Sequence, residues 1–242
     1  MDADGERNVE LPQKKFFRQR AHSNPMSDHD LVYPLSPDLM DWSPYYGTLA
    51  EKSRISFLDI GCGYGGLLFK LSDIYHSELI LGLEIRVKVC DFVQEKIRAM
   101  RLKHPGKYNN IACLRTNAMK YLPNFIFCHQ LSKMFFLFPD PHFKKAKYKR
   151  RIISTELLAI YSYLLKPDGL IYTITDVENL HIWMVKHISE HPLFEKLNES
   201  EMMNDPIVKL LYDSTEEGQK VTRNKGKKWA AVYRKRPDPD WL

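Results

Sequence analysis

The 242-residue chain has little cysteine, no long apolar run and no apolar leader at its start. Its four cysteines, Cys62, Cys90, Cys113 and Cys128, are far apart in sequence. They form no C-x-x-C pair and have no histidine at ligand spacing, so neither a zinc site nor a disulfide framework is expected. The longest apolar runs, such as Met134 to Phe138, fall far short of the roughly 18 residues that a membrane helix needs. The first residues include Asp2, Asp4, Glu6 and Arg7, which argues against a secretory signal. These absences point to a cytosolic or nuclear globular protein.

What is present is ordinary in bulk, 44% hydrophobic and 27% charged. At about 100 to 200 residues per domain the length suits one large domain or a domain with a tail. Lys and Arg number 36 against 30 Asp and Glu, a formal net charge of +6. That sum is mild, but the bases are clustered, and their positions carry more information than their total.

Residues 1 to 30 are polar and contain Pro12 and Pro25, too few apolar groups to offset the entropy of ordering. They read as a mobile basic arm ahead of a single catalytic domain spanning 31 to 242. Within the arm, Lys14-Lys15-Phe16-Phe17-Arg18-Gln19-Arg20 could dock on RNA, fold over a site, or remain solvated. Beyond Arg54, short apolar runs alternate with helical stretches. Strands are predicted at Ile55 to Ile60, Leu79 to Ile85, Ile111 to Leu114, Lys133 to Phe138 and Leu170 to Thr175, with a late strand at Lys228 to Lys235. Helices are predicted at Leu67 to Ile74, Val87 to Leu102 and Arg151 to Leu165, the last followed by a turn at Lys166-Pro167-Asp168-Gly169. This alternation predicts an α/β fold, a mostly parallel sheet covered by helices on both faces.

Asp59-Ile60-Gly61-Cys62-Gly63-Tyr64-Gly65-Gly66 follows a strand and opens a helix. Glycines there permit a sharp turn and close approach to a ligand. Glu84 ends the next strand, about where a doubly wound fold sets an acid against ribose hydroxyls. The letters fit both the dinucleotide pattern G-x-G-x-x-G and the methyl-donor pattern D-x-G-x-G-x-G. Asp59 favours the second, because an acid suits a ligand ammonium group and repels a pyrophosphate.

Phe138-Pro139-Asp140-Pro141-His142-Phe143 places a carboxylate between two prolines at the carboxyl end of the fourth strand, the edge where open α/β sheets bind ligands. Asp140 fits a pre-positioned catalytic group or a turn cap. Six bases follow within Lys144 to Arg151, with Lys144, Lys145 and Lys147 as candidate phosphate contacts. Lys220, Arg223, Lys225, Lys227 and Lys228 form a second basic set. Two basic surfaces beside one pocket suggest a polyanionic substrate.

Gly61 to Gly66, Gly82 to Arg86, Thr116 to Met119, Phe138 to Lys144 and Ser214 to Gly218 together resemble the tRNA (guanine-N7)-methyltransferase family, over roughly residues 12 to 240. The resemblance implies a Rossmann-like class I methyltransferase fold that uses S-adenosyl-L-methionine, with no metal, to methylate a guanine at position 46 of the tRNA variable loop. It assigns Gly61 to the donor's amino acid end, Gly63 to the donor site, Glu84 to its ribose, and Ile85, Arg86, Asn117 and Ala118 to its adenosine. Leu137 falls beside the methyl-bearing centre, Thr215 and Glu217 close the pocket, and Asp140 is the catalytic carboxylate. It also implies a noncatalytic WD-repeat β-propeller partner and a mainly nuclear location.

Two other readings stay open at this point: a methyltransferase acting on protein or DNA amino groups, and an RNA-binding scaffold that retains the fold. Arg18-Gln19-Arg20-Ala21-His22-Ser23 also matches the R-x-R-x-x-S spacing that basic-directed kinases prefer. A phosphate on Ser23 would add roughly −1.5 to −2 charges near incoming RNA.

Overall fold

The computed structural model describes residues 9–20, 23–27 and 29–239. Residues 1 to 8 of the expected arm, together with Ala21, His22 and Asp28, lie outside the described residues. In chain order the elements are α1 (Ser43–Tyr46), α2 (Leu49–Lys52), β1 (Ile55–Ile60), α3 (Gly66–Ser72), β2 (Leu79–Glu84), α4 (Val87–Lys103), β3 (Ile111–Arg115), α5 (Ala118–Phe125) and β4 (Leu131–Leu137). A 3-10 turn (Lys145–Arg150) leads to α6 (Thr155–Leu164), β5 (Leu165–Thr175), α7 (Glu178–Glu190), β6 (Phe194–Lys196), α8 (Glu199–Asn204), α9 (Pro206–Asp213), α10 (Glu216–Arg223) and β7 (Trp229–Lys235).

The seven strands form one sheet in the order β3-β2-β1-β4-β5-β7-β6. β1 to β5 run parallel, while β7 pairs antiparallel with both β5 and β6. The expected architecture is therefore present, including the late antiparallel strand. Alternation along the strands explains the two covered faces. Leu58, Met134 and Phe136 point to a core shared with Leu122, Leu158 and Met184 of α5, α6 and α7. Phe57, Phe135 and Leu137 point the other way, to Leu68, Val93 and Leu211 of α3, α4 and α9. The sequence order reverses between β1 and β4, so a crevice opens at their carboxyl ends.

Two boundaries differ from the sequence reading by more than two residues. The helix predicted from Arg151 begins only at Thr155, because Ser154 caps it by accepting a hydrogen bond from the Leu157 amide, 3.4 Å. Residues 151–154 link the 3-10 turn, which ends at Arg150, to this helix. The turn predicted at 166–169 falls inside β5 as an irregularity, with Asp168 at φ +63° and a register shift opposite Leu131 to Lys133.

The described part of the arm lies against the domain. Phe17 packs edge-on to Phe92 of α4 with ring centroids 5.5 Å apart. Gln19 accepts a hydrogen bond from the Lys88 amide at 3.0 Å, and the Pro25 carbonyl accepts one from Asn117 at 2.7 Å. Lys14 pairs with Glu216 of α10.

Candidate active site

The parallel strands deliver their carboxyl ends to one cleft of about 820 Å³. Every residue assigned to the donor from sequence lines it, as does Asp140. Lys14, Gln19, Ser23 and Pro25 of the amino-terminal segment line it as well.

The glycine loop is pinned from below. The amides of Gly61 and Cys62 both donate to the Leu83 carbonyl of β2, at 2.9 and 3.0 Å. Gly61 and Gly63 take φ of +75° and +54°, and a Cβ on either would meet no protein atom within 4 Å. Side chains there would stand in the cleft, so glycine keeps that volume available to a ligand. Gly66 has a different reason. A Cβ there would come within 2.0 Å of the Ser214 carbonyl oxygen, so the loop before α10 closes directly on the start of α3.

Glu84 is 3% exposed and held by Arg86. Its Oε1 accepts from the Arg86 amide at 3.0 Å and from Nε at 3.1 Å, and its Oε2 accepts from Nη2 at 2.8 Å. Burial disfavours the Arg86 cation, but the Glu84 carboxylate overrides it and leaves the guanidinium more basic than usual. Asn117 is committed at both ends. Its Oδ1 caps α5 by accepting from the Met119 amide, and its Nδ2 donates to the Pro25 carbonyl. Thr215 caps α10 by accepting from the Gly218 amide at 3.0 Å, and Glu217 pairs with Lys220 at 3.1 Å.

Asp59 does not line the cleft. It is 2% exposed beneath the glycine loop, with Oδ2 lacking a hydrogen-bond partner among the described residues. Burial, and secondarily the charge of Glu84, push its carboxyl up to about 7. Behind the same loop the three cysteines that are distant in sequence come together, with Cys113 Sγ 3.7 Å from Cys62 and 3.5 Å from Cys90. Contact with Cys113 favours the Cys62 thiolate, but burial and the nearby acids outweigh it and push the thiol up to about 11. Cys62 is therefore packing rather than a nucleophile.

On the opposite wall, Pro139-Asp140-Pro141 leaves β4 between two residues in the left-handed region, Phe138 at φ +49° and His142 at φ +43°. Lys144, Lys145 and Lys147 do not line the cleft. They are exposed on and just before the 3-10 turn, between the lining residues His142 and Arg150. Other charged lining residues were not singled out in the sequence, among them Arg150, whose buried Nε has no hydrogen-bond partner among the described residues, and Asp176, which follows the carboxyl end of β5. The edge rule that selected Asp140 applies equally to Asp176. Arg150 was hidden within a run of bases.

A family model described as "Putative methyltransferase" matches residues 53–231. The chain is 66% identical to the tRNA (guanine-N(7)-)-methyltransferase of Brugia malayi, covering 98% of this chain and 92% of the relative. It is 62% identical to that of Caenorhabditis elegans (95% and 90% covered) and 58% identical to that of Danio rerio (96% and 99%). The chain belongs to the tRNA (guanine-N(7)-)-methyltransferase family. Among solved structures, the 16S rRNA methyltransferase KamB aligns with a TM-score of 0.53 at 18% identity, covering 78% of this chain and 92% of that one. This likeness supports the class I methyltransferase fold in a second way. As a family member the chain is a methyltransferase, and its cleft is lined by the glycine loop and by the buried acid Glu84.

Proposed function

We propose that the chain transfers a methyl group from S-adenosyl-L-methionine to N7 of guanine in tRNA, at position 46 of the variable loop. One juxtaposition carries the reading: the glycine loop and Glu84 share a single cleft with Asp140, and exposed lysines follow directly along the chain. The donor supplies an electrophilic methyl group on a sulfonium centre. Gly61 and Gly63 leave room for its amino acid end, Glu84 meets its ribose, and Ile85, Arg86, Asn117 and Ala118 surround its adenosine. Leu137 lies beside the reacting centre, with Thr215 and Glu217 closing the far side.

Guanine N7 has an in-plane lone pair and no proton, so the chain must align the base rather than deprotonate N7. As N7 gains the methyl group the purine becomes cationic, and its N1–H and exocyclic amine become stronger donors. Asp140 accepts from that edge and stabilises the charge as it develops. Lys144, Lys145 and Lys147 hold the RNA backbone. The proposal extends, by family resemblance, to a noncatalytic WD-repeat β-propeller subunit and a nuclear location. Ser23, a wall of the cleft, is a position where a phosphate would repel the substrate.

A radiolabelled methyl-donor assay offering tRNA, DNA and protein in parallel tests the reading, with cleavage at N7-methylguanine locating the product. Label on protein or DNA would overturn it, and tRNA binding without label would leave only a scaffold.

A further inference from the structure

Arg151 is a basic residue that the reading above leaves without a role, and its surroundings are unusual for a cation. It is 2% exposed, and its side chain bonds to a backbone carbonyl and an amide oxygen. Its guanidinium carbon lies 3.8 Å from the ring centre of Tyr148 and 4.7 Å from that of Trp183. Those ring faces replace part of the lost hydration. Nε donates to the carbonyl of Pro141 at 2.9 Å, Nη2 lies 3.5 Å from Asn179 Oδ1, and Nη1 has no hydrogen-bond partner among the described residues. Trp183 is itself fixed, with Nε1 donating to the Ile153 carbonyl at 2.8 Å. A buried cation with a donor unused is a costly arrangement, so its benefit must lie in what it holds.

What it holds is the exit of the Pro139-Asp140-Pro141 segment. Both prolines lack an N–H, so neither can tie the segment to the fold by an amide. The flanking residues Phe138 and His142 sit at positive φ, which non-glycine residues adopt at a cost and keep only when neighbours over-determine it. The entry is tied by the Phe138 amide, which donates to the Ile174 carbonyl of β5 at 2.8 Å. The exit is tied by Arg151. We infer that Arg151, clamped between Tyr148 and Trp183, is a positioning residue that holds the Pro141 carbonyl and thereby aims Asp140 at the reacting base. This rests on the role proposed for Asp140.

The test is a double-mutant cycle on the full chain. Arg151→Lys keeps the charge but loses the planar fork and the stacked geometry. Displacing a catalytic group by about an ångström costs on the order of a hundredfold. The expected result is a fall in kcat of roughly tenfold to a hundredfold, with donor affinity and KM for tRNA within about twofold of the parent. In an Asp140→Asn background the same change should lower kcat by less than about twofold, since groups acting through one another are not additive. If Arg151→Lys fails to fold, Trp183→Phe loosens the clamp from one side and enters the same cycle. Full kcat in the single variant overturns the inference, as do losses that multiply undiminished in the Asp140→Asn background. Unchanged turnover in Asp140→Asn alone removes the carboxylate's role and the clamp with it, an outcome distinct from failure at Arg151.

Discussion

The two walls of the cleft are built on opposite principles. The donor wall, from the glycine loop to Arg86, is set on buried acids: Glu84 is paired with Arg86, and Asp59 lies sealed beneath the loop. The acceptor wall, from Phe138 to Arg150, is exposed in part, cationic, and carries two residues at positive φ around Asp140. A small ligand is best held by enclosure and by dipoles fixed before it arrives. A polyanion of tRNA size cannot be enclosed, so its wall stays open, and long-range charge does the gathering. Precision there is confined to one carboxylate set on a strained, tied segment.

Variants that strike one wall at a time should separate these roles. The largest effect belongs to Asp140→Asn, which keeps the shape of the side chain and removes its charge. Steady-state assays should show kcat lower by about 10² to 10³, the range for losing one electrostatic contact to a transition state, while calorimetry shows donor affinity within about twofold. Equal damage to both parameters would mean that the two walls are not separable. Glu84→Ala attacks the other wall and should weaken donor binding by roughly tenfold to a hundredfold, the worth of hydrogen bonds to a charged group. Its kcat at saturating donor should change far less. A normal donor Kd would show that Glu84 serves only Arg86.

Replacing Lys144, Lys145 and Lys147 together by Ala sharpens the contrast on the acceptor side. The slope of log affinity for tRNA against log salt should fall by roughly two to three, about one per lost phosphate contact, with donor affinity untouched. An unchanged slope returns those lysines to an ordinary solvated surface.

The same contrast governs how much could be read before folding. The donor wall was legible because it is local: a strand, glycines and an acid at fixed spacing determine each other along a short stretch of chain. The place of Asp140 in the cleft was legible because two prolines flank a carboxylate at a strand end. Arg151 was not, because in sequence it is the last of a basic run, and only the approach of Tyr148 and Trp183 turns it from a surface charge into a buried one. The clustering of the three thiols was likewise hidden, since residues 62, 90 and 113 meet only when the glycine loop, α4 and β3 pack together. The amino-terminal segment was read as a mobile arm because it cannot form a core of its own. Its described contacts, Phe17 on Phe92 and Pro25 on Asn117, borrow apolar surface and a donor from elsewhere in the domain.

Asp59 gives the most specific of the expected effects, read in stability rather than in turnover. Its folded carboxyl is raised to about 7 from the ordinary 3.8, so the folded state binds its proton more tightly than the unfolded chain does. The stability this confers is complete below about pH 4 and is lost as pH rises toward 7. Asp59→Asn has no proton to lose. Without donor, its melting temperature should gain on the parent from pH 4 to 7 and level off above. The rise from 3.8 to about 7 is worth about 4 kcal/mol, and at about 2 to 4 °C per kcal/mol for a domain of this size the gap should reach on the order of 10 °C. A gap that stays flat with pH would mean that Asp59 is ionised throughout. Adding donor at pH 8 sharpens the test, because a ligand ammonium near the loop favours the ionised carboxylate. The donor should therefore raise the parent's melting temperature more than that of Asp59→Asn, which would tie the buried acid to the ligand it does not touch.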